Sequence, residues 1–298
     1  MNKKYKSPLS RNFSPKHSAC AGCGMIVALR LIIDAAGPDT IITNATGCME
    51  VTTTKYPNTI FKTPYIHSLF ENASSVASGI LAALKYQKKD KDINIIAIGG
   101  DGATFDIGLG NISGMWERGE NILYICYDNE AYQNTGYQSS GATPLDANTT
   151  TTPAGERSFG NDLSKKDMIG IALAHHLPYV ATVTVGDLPD LTAKVKKALS
   201  IKGPKYLQIY TPCVPGWGIE AKDTVSVAQL AVQSGSYPII EYVNGELVGR
   251  IKINKKIPVE EFLKVQKRFK HLFASPAGKA EIAKIQKIAN ENIKKFGL

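Results

Sequence analysis

Two groups of residues in this 298-residue chain have the types and spacing to do chemistry. The first is the run IGGDGATF followed, one strand later, by Asp128-Asn129. Gly99, Gly100 and Gly102 let the backbone come close to a phosphate, and a helix starting just after them favours negative charge. Asp101 then faces a diphosphate, which is repulsive unless a hard cation lies between, so the arrangement calls for Mg²⁺. Two adjacent parallel strands bring Asp101 and Asn129 side by side at one sheet edge. The Asp101 carboxylate, the Asn129 amide oxygen and a backbone carbonyl such as that of Ala131, joined by two phosphate oxygens and a water, complete an octahedron.

The second group is the cysteines. CAGCG supplies Cys20 and Cys23 at a helix start, and Cys48 and Cys213 each follow a strand, in NATGCMEV and YTPCVPGWG. Four thiolates satisfy a tetrahedral zinc or a [4Fe–4S] cluster, and spacing alone does not choose between them. One CxxC with two distant single cysteines is compatible with a buried cluster, while a redox pair of the thioredoxin kind needs neither Cys48 nor Cys213. Cys126, inside the apolar run ILYICYD, reads as a core thiol. His17, His67, His175, His176 and His271 carry no catalytic reading.

The elements that must position these residues alternate. Strand-length apolar runs lie at 40–45, 93–98, 121–127, 179–183 and 205–210, with helical spacing at 25–36, 68–86, 107–117, 166–176 and 188–199. The expected fold is α/β, a doubly wound and mainly parallel sheet whose ligands sit outside the carboxyl ends of the strands. Residues 129–161 form a long polar stretch, which is functional or disordered. EYVNGELVGRIKI reads as a hairpin about Asn244-Gly245, followed by two basic amphipathic helices at 259–272 and 276–295. Residues 1–218 are expected to carry both groups of chemistry-bearing residues, and 219–298 to form a hairpin and helical extension suited to contact with another chain.

Composition excludes some classes. Hydrophobic residues make up 43% of the chain, too many for disorder, and no stretch reads as a signal peptide or membrane span, so the cytoplasm is the expected compartment. The net charge of +9 sits in the tail: residues 250–298 hold 13 Lys/Arg against 4 Asp/Glu, and the first 249 hold 22 of each. Such a tail suits an acidic partner protein, although a charge run is more often a solvated helical face.

The GDG…N arrangement resembles the cofactor motif of thiamine diphosphate enzymes. Taken with HSACAGCG, NATGCMEV, IHSLFENASSVASGI, YICYDNEAYQNTGYQSSGATP, TPCVPGW and PVEEFLKVQKRFKHL, the chain resembles the beta subunits of pyruvate:ferredoxin oxidoreductases, within the 2-oxoacid:ferredoxin oxidoreductase family. The resemblance implies a thiamine-diphosphate-binding fold of the pyrophosphate-domain type. It also implies a [4Fe–4S] cluster on Cys20, Cys23, Cys48 and Cys213, and Mg²⁺ on Asp101, Asn129 and the Ala131 carbonyl. Cofactor contacts would come from Gly100, Asp101, Gly102 and Ala103, from Asn129, Glu130, Ala131, Tyr132, Gln133 and Asn134, and from Cys48 and Met25. Met25 stands where some members carry a carboxylate, and Asn134 is the residue expected to reach the reacting centre.

The implied activity is reversible oxidative decarboxylation of pyruvate with coenzyme A, reducing ferredoxin. The activating glutamate and the substrate-carboxylate contacts come from an alpha-type subunit in this family, with gamma- and delta-type subunits completing the enzyme. Glu71 and Glu50 are weak candidates for the glutamate in this chain. Two other readings are a relative acting on oxalate, 2-oxobutyrate or another 2-oxoacid, and a zinc-stabilised nucleic-acid-binding protein. The last leaves the GDG…N arrangement and the long polar loop unexplained.

Overall fold

The computed structural model describes residues 12–14 and 16–298; the absence of a leader read at the very start of the chain concerns mostly residues outside that set. The strands are β1 (Thr40–Ala45), β2 (Tyr65–Ser68), β3 (Asn94–Gly100), β4 (Leu123–Asp128), β5 (Tyr179–Thr184), β6 (Lys205–Tyr210), β7 (Ile240–Val243) and β8 (Glu246–Arg250). They form one sheet in the order β2-β1-β3-β4-β6-β5-β7-β8. The first six are parallel, and β7 and β8 join antiparallel on the β5 edge. The expected mixed α/β sheet is thus present.

The helices are α1 (Gly24–Ala36), α2 (Cys48–Thr53), α3 (Ala73–Tyr86), α4 (Leu109–Glu117), α5 (Met168–Ala174), α6 (Leu188–Ser200), α7 (Val214–Trp217), α8 (Thr224–Gln233), α9 (Val259–Leu263) and α10 (Pro276–Phe296). They cover both faces because successive strand residues point to opposite sides. Ile96 and Ile98 of β3 and Leu123 and Ile125 of β4 pack toward α1, α6 and α8, while Ile95, Ala97, Tyr124 and Cys126 pack toward α3, α4 and α5. Each fully buried Leu or Ile side chain contributes roughly 1.5–3 kcal/mol of transfer free energy. Cys126 is fully buried, as its apolar surroundings in sequence require.

Three local features differ from the sequence reading. Residues 68–72 are not helical: β2 adds an extra parallel strand at the sheet edge, and α3 begins only after Asn72. Ile66 and His67 on that strand are exposed, so no apolar run announces it. The helix expected at 259–272 divides into α9 and a 3₁₀ segment, Lys267–Phe273, because Gln266 is extended and its amide donates to the Phe262 carbonyl at 2.7 Å. The polar stretch 129–161 contains no named helix or strand, yet it is ordered by its own side chains. Thr143 Oγ1 donates to the Glu130 carbonyl at 2.8 Å, Asn161 Nδ2 to the Thr143 carbonyl at 2.9 Å and Thr150 Oγ1 to the Gly136 carbonyl at 2.8 Å. The hairpin turn is as read: Asn244 and Gly245 have φ of 50° and 82°, the pair of positive values that a tight hairpin needs.

Candidate functional site

Four neighbouring parallel strands end at the same edge, and each delivers part of the candidate site. After β1 the chain turns through Thr46 and Gly47 into Cys48 on α2; after β3 comes Asp101; after β4, Asn129; after β6, Cys213 at the start of α7. Because β1 leads outward to β2 and β3 lies on its other side, the β1–β3 boundary is a topological switch point, where such sheets open a crevice.

The glycine turn enters a π-helical turn, Gly102–Ile107, in which the Gly108 amide donates to the Ala103 carbonyl at 3.0 Å. Single π turns recur at functional sites. Gly102 is required by close approach: a Cβ there would lie 2.3 Å from the Tyr132 ring. Tyr132 holds this turn from above, its hydroxyl donating to the Asp106 carboxylate at 3.1 Å.

Asp101 is 1% exposed. Its Oδ1 accepts the Asn129 amide N–H at 3.2 Å and its Oδ2 accepts the Ser140 hydroxyl at 2.5 Å. Burial pushes the carboxyl well above the usual carboxylate range; the Asp128 charge adds to this, and the bonds from Ser140 and Asn129 only partly oppose it. The Asn129 side-chain oxygen lies 2.8 Å from Asp101 Oδ1 and 2.9 Å from the Ala131 carbonyl oxygen, so three acceptors face one another; turned over, the amide nitrogen would donate to both. Mg–O bonds of 2.0–2.1 Å at right angles put neighbouring oxygens about 2.8–3.0 Å apart, so both spacings that Asn129 makes match edges of a Mg²⁺ octahedron.

The Asn129 main-chain carbonyl accepts two donors, Gln133 Nε2 at 2.7 Å and Trp217 Nε1 at 3.0 Å. Trp217 is fully buried and closes α7, with its amide donating to the Cys213 carbonyl at 2.9 Å. Behind this turn lies a buried ionic group. Lys165 Nζ bonds the Asp128 carboxylate at 2.6 Å and Glu130 Oε1 at 3.1 Å, and Arg268 Nη2 bonds Glu130 Oε2 at 2.5 Å. Burial alone would raise Glu130, but Lys165 and Arg268 outweigh it and hold the carboxyl below its ordinary value.

The four cysteines gather at the same corner. The CxxC turn is closed by the Cys23 amide donating to the Cys20 carbonyl at 3.1 Å, with Gly22 at φ 75° packed directly against the Ala221 backbone. Burial pushes the Cys48 and Cys213 thiols up to about 12, and in each case the other cysteines raise them further; Cys23 is raised by burial too. The four thiols therefore lie within electrostatic reach of one another. Among the described residues, no three Cys, His, Asp or Glu side chains close to the distance at which they would hold a single ion.

Of the residues singled out by sequence, Cys48, Gly100, Asp101, Gly102, Ala103, Asn129, Ala131, Tyr132, Gln133 and Asn134 line one cleft, with Thr46, Phe70 and Tyr127 completing its wall. Glu130 turns away into the ionic group, where it borders a separate cavity of about 400 Å³ beneath α10. Met25 is 3% exposed and packs in the core. Glu71 offers its main-chain carbonyl to Asn111 at 3.2 Å, and Glu50 Oε1 accepts the Thr54 hydroxyl at 3.0 Å. The tail's other Lys and Arg side chains are exposed, as a solvated charged face requires, but Arg268 is an exception: it is 5% exposed and stacks 3.8 Å from the Trp217 ring. Sequence reasoning missed Ser140, Lys165 and Trp217 as parts of this assembly. Ser140 and Trp217 lie within the motifs YICYDNEAYQNTGYQSSGATP and TPCVPGW, whereas Lys165 carried no signal.

The chain matches the family of the C-terminal TPP-binding domain of thiamine pyrophosphate enzymes over residues 45–209. It is 52% identical over 282 residues to the pyruvate synthase subunit PorB of Methanosarcina barkeri, covering 95% of each chain. It is 51% identical over 297 residues to PorB of Methanocaldococcus jannaschii, covering 98% of each. In fold it is similar to a 2-oxoglutarate:ferredoxin oxidoreductase from Magnetococcus marinus, solved with 2-oxoglutarate, coenzyme A and succinyl-CoA bound. The TM-score is 0.58 at 22% identity, over 73% of this chain and 79% of that one.

Proposed function

Because the chain belongs to the PorB family of pyruvate synthase subunits within the thiamine pyrophosphate enzymes, we propose that it is the cofactor-binding beta subunit of a 2-oxoacid:ferredoxin oxidoreductase acting on pyruvate. The enzyme converts pyruvate and coenzyme A to acetyl-CoA and CO₂, passes two electrons singly to ferredoxin, and runs in either direction. The observation that carries the reading is the convergence of the Asp101, Asn129 and Ala131 oxygens beneath the glycine turn, which suits Mg²⁺ holding a diphosphate.

Asp101, Asn129 and the Ala131 carbonyl would hold the metal. Gly100, Gly102 and Ala103 would cradle the diphosphate, and Tyr132, Gln133 and Cys48 would wall the cleft. When bound, thiamine diphosphate supplies the electron sink for decarboxylation, and an iron–sulfur cluster on Cys20, Cys23, Cys48 and Cys213 supplies the exit for single electrons. The cluster is supported by a donor set of four thiols at one strand-end corner, where the charges of the neighbouring cysteines add to burial in raising Cys48 and Cys213. Asn134 is exposed and lines the cleft, and its amide would hydrogen-bond a substrate-derived oxygen.

The chain's own part is thus to fix the cation, exclude water from the diphosphate end and present Asn134. Alpha-, gamma- and delta-type subunits, separate or fused, complete the enzyme, with residues 219–298 contributing to their contact. The solvent face of α10, with Lys279, Lys287 and Lys294, suits a partner subunit or an acidic ferredoxin. Among the described residues no helix is long and apolar enough to cross a membrane, and cysteines left unpaired fit a reducing cytoplasm. The test is anaerobic ferredoxin reduction by the assembled complex with a panel of 2-oxoacids. Pyruvate should give the highest kcat/KM; preference for 2-oxobutyrate or oxalate would reassign the substrate, and no reduction with any would reject the reading.

A further inference from the structure

Resting on the cation placement proposed above, we propose that Arg268 is a positioning residue for that cation: by clamping Glu130, it fixes the turn that presents the Asn129 amide and the Ala131 carbonyl. Glu130 is the residue between those two, and it has φ of 63°, a left-handed conformation that residues with a Cβ avoid. Something must hold it there. Its own carboxylate does so, bonded to Arg268 Nη2 at 2.5 Å and to Lys165 Nζ at 3.1 Å.

The two cations are not equivalent. Lys165 is shared with Asp128 at 2.6 Å, whereas Arg268 reaches no other described carboxylate. Arg268 is itself fixed on three sides. Its guanidinium carbon lies 3.8 Å from the Trp217 ring centre, its Nε donates to Gln266 Oε1 at 2.9 Å, and its carbonyl accepts the Asn148 amide at 3.0 Å. A planar guanidinium can lay its face on a ring while its edge ion-pairs. Trp217 in turn donates to the Asn129 carbonyl. Arg268 therefore touches the Asn129–Ala131 turn by two routes, through Glu130 and through Trp217. The 3₁₀ segment carrying it, far along the chain from the strand ends, becomes part of the cation site.

A buried ion pair that only stabilised the fold would respond to loss of either charge alike. A clamp on a left-handed turn responds instead to whether residue 130 needs clamping, and glycine does not. The experiment is Mn²⁺ binding in the presence of saturating thiamine diphosphate, read by the electron paramagnetic resonance of free Mn²⁺. It uses the assembled complex after chelator treatment, as wild type, D101N, R268M, E130A, E130G and E130G/R268M. Arg268→Met and Glu130→Ala should each weaken Mn²⁺ binding about tenfold, the factor that a left-handed backbone costs a non-glycine residue. Glu130→Gly should stay within about threefold of wild type, since glycine adopts that backbone freely. Adding R268M to E130G should change little more.

Wild-type affinity in R268M and E130A, with D101N unable to bind, would overturn the clamp and leave the cation site standing. Should R268M fail to assemble, the pair at position 130 decides, and equal losses for Ala and Gly overturn the clamp. No Mn²⁺ binding by wild type, or equal binding by D101N, would instead reject the cation site itself.

Discussion

The indole Nε1 of Trp217 donates to the main-chain carbonyl of Asn129 at 3.0 Å. Trp217 ends the short helix that Cys213 begins, and Asn129 follows the strand next to the one that delivers Asp101. One buried hydrogen bond thus ties the cysteine corner to the proposed cation site. The two groups of chemistry-bearing residues are therefore parts of a single rigid edge, held from behind by Arg268 and Glu130.

Trp217→Phe should keep most of the buried ring and its contact with Arg268 while deleting that bond. The Asn129 carbonyl would retain Gln133 alone. Stability should fall by about 1 kcal/mol, and thiamine diphosphate affinity by a few-fold as the turn loosens. Thermal unfolding and a cofactor titration read the two effects; an unchanged affinity would separate the corner from the cation site.

Asn134→Ala in the assembled complex should lower kcat by about ten- to a thousandfold, in line with loss of one donor to a developing charge. KM for the 2-oxoacid should change little, because the residue is exposed rather than buried in a binding pocket. Steady-state kinetics with ferredoxin as acceptor make the check. Full turnover in the variant would remove Asn134 from the reaction.

The chain purified anaerobically should be brown and carry iron and acid-labile sulfide in about equal amounts, as a cluster on thiolates requires. Cys213→Ser and Cys48→Ser should each deplete the iron, whereas Cys126→Ser should not, because that thiol is fully buried in the core between β4 and its covering helices. Metal analysis with the visible absorption spectrum decides. A colourless chain with stoichiometric zinc would falsify the cluster assignment.

Asp146 offers a pH-dependent stability effect away from the site. It is 5% exposed, its Oδ2 has no hydrogen-bond partner, and burial with the nearby Glu281 charge pushes it up to about 6. A carboxyl raised above its unfolded value of 3.8 binds its proton more tightly in the folded chain. Its stabilising contribution is therefore complete below the unfolded value and is lost as pH rises through about 6. Asp146 also has φ of 61°, which asparagine tolerates well. Asp146→Asn should raise the stability at pH 7 by about 1–3 kcal/mol and flatten its dependence between pH 4 and 7. Denaturant unfolding at several pH values measures this, and no gain at pH 7 would show that the carboxylate finds compensation there.

Much of this was legible in the sequence, for identifiable reasons. The six strands that deliver or flank the site are short apolar runs, except β2, whose half-exposed residues give no hydrophobic pattern. Asp101 and Asn129 could be paired beforehand because adjacent parallel strands must end together. Lys165, Ser140 and Arg268 could not. Each reaches the site from a segment without periodicity, or across 138 positions in the case of Arg268 and Glu130, and a buried arginine looks in sequence like any member of a basic tail. The long polar stretch was recognisable as unusual. Its order comes from side-chain to backbone hydrogen bonds that no spacing rule anticipates.

The most direct test of the central claim is reduction of ferredoxin by the anaerobic complex containing this chain, measured with pyruvate, coenzyme A, thiamine diphosphate and Mg²⁺. The prediction is reduction that requires pyruvate and coenzyme A together and that falls by about a hundredfold or more with Asp101→Asn, as expected on losing a charged cation ligand. Equal rates for wild type and Asp101→Asn, or no pyruvate-dependent reduction by wild type, would contradict it.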